Sequence, residues 1–322
     1  MFILGLAFSF IFASAPKTLE ETFLSTQGNC NALIDIQEKH LLVAYNKTSY
    51  PEKQYRGFYE ITNLENQSQI TFTSENHAPV LDLQIYQDSL FVLTRNGLIE
   101  RSLKDYQVKG IYKTHPKIYF ERKEHPTAMQ LVGDKIYIAH GRLGMSVFDI
   151  ATRSVNHIEI FTELKEGELS MATDLVYDGK QLFVLLDNYH IKEAPKDIPV
   201  FRGIVVYSPV DREVSKVVRL RDPGATGINL VGEDYLLISF HGFPNLVMYS
   251  KAALLNASTT VDEPIKALSR AWKYPDEKYG SHRGDFYLYG SKIYTCFLQS
   301  EDEKTFHYAR RIFSLEDLNW KQ

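Results

Sequence analysis

Apolar and polar residues alternate along most of this chain, and the alternation is organised in repeating units. Six apolar runs begin at Leu41 (LLVAY), Leu90 (LFVLT), Ile136 (IYIAH), Leu182 (LFVLL), Leu236 (LLISF) and Ile293 (IYTCF), at spacings of 49, 46, 46, 54 and 57 residues. A tight polar turn precedes each run: Glu38-Lys39, Asp88-Ser89, Gly133-Asp134, Asp178-Gly179, Glu233-Asp234 and Gly290-Ser291. Before each turn lies another short strand-like stretch, as in Val80–Ile85 and Ala128–Val132. Alternation on either side of a turn reads as an antiparallel hairpin. A third strand follows each hairpin, and four of the six third strands start at or beside glycine, as at Gly57, Gly97, Gly144 and Gly203. A fourth, more polar strand completes most units, as in Gln69–Thr73 and Glu213–Leu220.

Four antiparallel strands repeated in tandem at this period predict an all-β fold, a six-bladed β-propeller formed by residues 16–322. The last unit is one strand short. Open sheet edges template aggregation, so the ring must close. The expectation is that Thr22–Ser25 supplies the outer strand of blade six, a ring closed by an N-terminal strand. The longest inserts, including Asp187–Arg202 and Lys251–Leu268, fall between strands, and the second is expected to hold a helical turn.

Residues Met1–Ala15 are uncharged and mostly apolar, and they end in Ala13-Ser14-Ala15. The run is shorter than the ~20 residues a membrane-spanning helix needs. It reads as a signal peptide of residues 1–15 with cleavage after Ala15, which places the protein outside the cell or in the periplasm. Only two cysteines are present, Cys30 and Cys296. They lie in blades made adjacent by ring closure but at different depths, and two free thiols are expected.

Composition adds little to this picture. Apolar residues make up 44% and charged residues 24%, with a net charge of −4, which gives no reason to expect nucleic acid or an anionic membrane as partner. No HExxH, CxxC, GxSxG or phosphate-binding loop is present, so no catalytic residue is assigned.

Position within the repeat carries more. The start of each innermost strand and the loop after each second strand return to the same face of a propeller. Six of the ten histidines fall in those two zones. The ligand-binding set expected at the channel mouth is His125, His140, Arg142, His190, His241, His282 and Arg283, with His77 and Arg95 in the same zones. His40, His115, His157 and His307 lie elsewhere. Such a mouth suits a carboxylate or sugar acid held by guanidinium, or a divalent metal held by imidazole. No dedicated metal set or cofactor is assigned.

The stretch GRLGMSVFDIAT, following IYIAH over residues 136–152, resembles the LVIVD repeat of bacterial and archaeal secreted or surface propellers. The resemblance implies the propeller fold and export rather than an activity. The leading expectation is therefore a monomeric, exported binding or protein-interaction module. The alternative is a propeller hydrolase or lyase acting on an anionic carbohydrate or small molecule at the His/Arg-rich mouth.

Overall fold

Each predicted hairpin closes as an antiparallel pair, and six such units form a ring. The computed structural model describes residues 17–25, 33–49, 54–75, 78–116, 125–161, 164, 168–187, 200–222, 224–240, 246–257, 267–271, 280–300, 306–317 and 320–321. Blade one is β1 (Leu33–Gln37), β2 (His40–Ser49), β3 (Gln54–Asn63) and β4 (Gln69–Thr73). Blade two is β5 (Val80–Tyr86), β6 (Ser89–Thr94), β7 (Gly97–Ser102) and β8 (Val108–Tyr112). Blade three is β9 (Ala128–Val132), β10 (Lys135–Ala139), β11 (Met145–Asp149) and β12 (Ser154–Ile158). Blade four is β13 (Met171–Tyr177), β14 (Leu182–Asp187), β15 (Gly203–Ser208) and β16 (Glu213–Arg219). Blade five is β17 (Ala225–Val231), β18 (Tyr235–Phe240), β19 (Leu246–Ser250) and β20 (Ser269–Ala271). Blade six is β21 (Gly280–Tyr289), β22 (Lys292–Ser300) and β23 (Phe306–Ser314).

All pairings within blades are antiparallel, in sequence order from the channel outward. Successive innermost strands lie against one another around the ring, and β21 lies against β1, which closes it. Among the described residues the core is divided into six apolar clusters, one per seam between neighbouring blades. Second strands are covered on both faces by adjacent blades, so β6 and β14 are buried at every position, whereas the outer strand β4 only alternates. Glycine at the start of the third strands has a steric cause. A Cβ on Gly203 would lie 2.1 Å from the Val218 carbonyl oxygen, and one on Gly57 2.2 Å from that of Ala78.

Closure differs from the sequence expectation. Thr22–Ser25 is not a strand. Leu19–Ser25 forms a helix, α1, and blade six has three strands among the described residues. The reason is local. Thr18 and Glu21 form a capping box: the Glu21 N–H donates to Thr18 Oγ1 at 3.2 Å, and the Thr18 N–H donates to Glu21 Oε2 at 3.0 Å. The helix then presents Leu19 and Phe23, four residues apart, on one face. Phe23 is fully buried among Leu41, Val43, Tyr45 and Tyr294, plugging the seam between blades one and six. Its ring meets Tyr294 edge-on at 5.5 Å. Beside it, Arg310 of blade six donates to the Phe23 carbonyl at 3.3 Å and lies 3.5 Å from Glu60 of blade one. Burial raises the Glu60 carboxyl above its ordinary range, and burial lowers the Arg310 guanidinium.

The C-terminal strand β24 (Trp320–Lys321) pairs with β20 and becomes a fifth strand of blade five. The helical turn expected after Lys251 is present as α2 (Lys251–Asn256), capped by Ser250. Residues 1–15 and Cys30 lie outside the described residues, so the signal-peptide and thiol expectations fall there. No helix among the described residues is long and apolar enough to cross a membrane.

One regularity escaped the reading of the sequence. The last residue of every third strand is Asn, Ser or Asp: Asn63, Ser102, Asp149, Ser208, Ser250 and Ser314. Each side chain accepts a backbone N–H two or three residues on. In five blades the next residue's N–H also donates to the hairpin turn of the same blade, as Leu103 does to Asp88. In blade four that residue is Pro209, which has no N–H.

Candidate functional site: channel, blade-three histidines and an open seam

The channel cavity, about 430 Å³, is lined by inner-strand residues of all six blades. At five of the six inner blade edges, side chains of the preceding blade meet backbone groups of the innermost strand. Gln37 of blade one donates to the Leu83 carbonyl at 2.9 Å and accepts from the Ile85 N–H at 2.5 Å. Asp82 of blade two accepts from Met129 N–H at 2.6 Å. Asp174 of blade four accepts from Ile228 N–H at 2.7 Å. Asn229 of blade five donates to Phe286 O at 3.0 Å, and Tyr287 of blade six to Ile36 O at 3.4 Å.

These groups form a belt that solves the edge problem from inside. Burial pushes Asp35 up to about 6 and Asp174 up to about 7, and holds Asp82 well above the carboxylate range, against the pull of backbone donors. No cation is among the described residues lining the cavity.

The expected mouth set is only partly described. His190 and His241, like His77, lie outside the described residues. His282 and Arg283 fall in β21, at a register irregularity between His282 and Phe286. His125 is half-buried, with Nδ1 2.9 Å from the Pro126 carbonyl. The Nε of Arg142 is buried with no hydrogen-bond partner among the described residues. His140 is buried, and its Nε2 lies 2.7 Å from the Thr114 carbonyl, which also accepts from Ser146 Oγ at 2.5 Å.

The structure brings His140 to two histidines the repeat position had set aside. Its ring centroid is 5.1 Å from that of His115, and His115 Nε2 is 2.9 Å from His157 Nδ1. His157 Nε2 in turn reaches Glu159 at 3.5 Å. The stack ties the segment after β8 to blade three. Its nitrogens face one another in series rather than converging, and no metal-holding group of three is found among the described residues.

The larger cavity is elsewhere. A groove of about 690 Å³ opens between blades three and four. One wall is a face of blade three, with Lys135, Tyr137, Val147, Asp149 and His157. The other is the end of blade four, with Tyr177, Tyr207, Pro209, Val210 and Arg212. Tyr137 and Tyr207 are 6.0 Å apart and form a buried aromatic floor, whereas Val210 is 84% exposed. Lys135 bonds Asp134 at 3.1 Å and lies 3.5 Å from Asp149. Glu159 accepts from Phe161 N–H at 3.0 Å. Sequence reasoning missed this site because none of these residues sits at the mouth; the unbonded Pro209 turn was the available signal.

No protein family and no curated protein matches this chain. Among solved structures it is similar to the β-propeller domain of Cps50 (Swd1) from Myceliophteria thermophila. That match has a TM-score of 0.58 at 12% identity and covers 92% of this chain and 87% of that one. U3-55K matches with a TM-score of 0.52, and the WD40 repeats of RRP9 with 0.53. Each of these two has 11% identity over 80% of this chain and 69% of the other. At these identities the likeness establishes the β-propeller fold.

Proposed function

We propose that this propeller is a binding module for other proteins, and that the groove between blades three and four receives them. One observation carries the reading. The apolar cluster of this seam opens to solvent as a groove with a tyrosine floor and an exposed Val210 on its lip. Aromatic floors with apolar rims are where binding energy concentrates at interfaces.

The test is selection of a displayed dodecapeptide library against the purified chain. Peptides are expected to bind, and Val210→Glu to weaken them at least tenfold. Val108→Glu, on the outer strand of blade two, is expected to leave them unchanged. Failure to select binders, or binding indifferent to Val210→Glu, overturns the reading.

Export is part of the same proposal. It is supported by the Met1–Ala15 pattern and by the likeness to LVIVD repeats. Cleavage after Ala15 would leave Thr18 and α1 intact. N-terminal sequencing of secreted protein is expected to begin at Pro16; Met1 retained on a cytoplasmic protein would refute export.

A further inference from the structure

Resting on that groove reading, we infer that the partner segment is a peptide carrying a carboxylate side chain, held by Arg212. The turn into the fourth strand holds a residue at positive φ in each of the first four blades: Gln67 (φ 60°), Tyr106 (59°), Arg153 (56°) and Arg212 (61°). In blades one, three and four its N–H donates to the residue four back, Asn63, Asp149 and Ser208 respectively.

From this position the side chain reaches across the preceding seam. Gln67 accepts from Thr22 of α1 at 2.8 Å. Tyr106 packs on Phe72 of blade one, with ring centroids 5.5 Å apart. Arg153 donates to Glu100 of blade two at 3.0 Å, and Glu100 is buried.

Arg212 breaks the series. Glu100 pairs with Phe91 across blade two, and Val147 pairs with Tyr137 at the same place in blade three. A valine therefore stands where the carboxylate partner of Arg212 would be, and both residues line the groove. The other charges there are engaged: Lys135 with Asp134 and Asp149, and Glu159 with His157 and a backbone N–H.

Other seams are laced by a cation. Arg101 joins Glu75 and Tyr59 between blades one and two, Lys251 joins Asp178 at 2.9 Å between four and five, and Arg310 joins Glu60 between six and one. At this end of the three–four seam the arginine is present, no anion pairs with it among the described residues, and the groove beside it is open. A guest carboxylate seated on the tyrosine floor completes the pair, and guanidinium favours it through two parallel donors.

The experiment uses the full chain and the selected dodecapeptides. Enrichment of one Asp or Glu flanked by apolar residues is expected. Arg212→Ala should weaken these peptides about tenfold to a hundredfold, as should Asp→Asn or Glu→Gln in the peptide, and the two changes together should cost little more than either alone. Val147→Glu places the blade-two carboxylate opposite Arg212 and should abolish capture with unfolding temperature kept or raised. Peptides that depend on Val210 but bind Arg212→Ala as tightly as the native chain would overturn the carboxylate assignment and leave the groove reading standing. Peptides indifferent to both residues would overturn both.

Discussion

Removing residues through Ser25 is expected to destabilise the ring severely and to make it aggregate. The deletion takes away α1, whose Phe23 is enclosed by residues of blades one and six, and uncovers Leu41, Val43 and Tyr45 at the seam. It also removes the carbonyl to which Arg310 donates. Truncating the side chain alone, Phe23→Ala, should cost about 3–5 kcal/mol from lost burial and the cavity left behind. Glu20→Ala should cost little, because its pair with Lys292 is nearly half exposed on both sides. Glu60→Gln should be closer to Phe23→Ala, since it removes the carboxylate charge paired with the buried Arg310. Denaturant titration of the three variants orders them. A chain lacking α1 that unfolds at the native midpoint and stays monomeric would show that the helix is not a seal.

The second large effect lies in the channel. Asp174 accepts the N–H of Leu175 at 2.8 Å and that of Ile228 at 2.7 Å, the latter from the next blade. Asp174→Ala strands two buried donors, each costing about 1–3 kcal/mol, and should lower stability by about 2–6 kcal/mol.

The carboxyl also makes stability depend on pH with a definite sign. Burial lifts Asp174 from 3.8 to about 7 and Asp35 from 3.8 to about 6. Between those limits the folded chain holds protons that the unfolded chain has released. The contribution is fully present below about 4 and is lost as pH rises through about 6 to 7. Native protein should therefore lose a few kcal/mol of stability between pH 5 and pH 8 from these groups, and Asp174→Asn should flatten that slope. Carboxyls held low, such as Asp149 and Asp178, change charge below this window and leave it undisturbed. Equal slopes for native protein and Asp174→Asn would remove Asp174 from the account.

The architecture was written in the chain as hydrophobic period and turn chemistry. Six hairpins at a nearly constant spacing can bury their two-sided second strands only against one another, and a ring is what satisfies all six. The third-strand terminators, Asn63 to Ser314, were equally legible, as was the Thr18–Glu21 capping box that makes α1 a helix. Both are short-range patterns that depend only on neighbouring residues, and a search for strands alone passes over them. What α1 packs against was not legible, because Phe23 meets Tyr294 across 271 positions of sequence. The channel belt was likewise hidden: Asp82, Asp174 and Asn229 are ordinary inner-strand residues until the next blade places a backbone group within reach.

The histidines show the limit most plainly. Repeat position brought His140 toward a mouth cluster, whereas the fold turns its ring to Thr114 and His115, because side-chain direction is set by what packs beside the loop. Arg153 and Arg212 occupy the same turn position in successive blades, and sequence treats them alike. Only the tertiary structure decides that one pairs with the buried Glu100 and the other shares a groove with Val147, because the partner belongs to the preceding blade and its identity is fixed by strand register rather than by anything near the arginine.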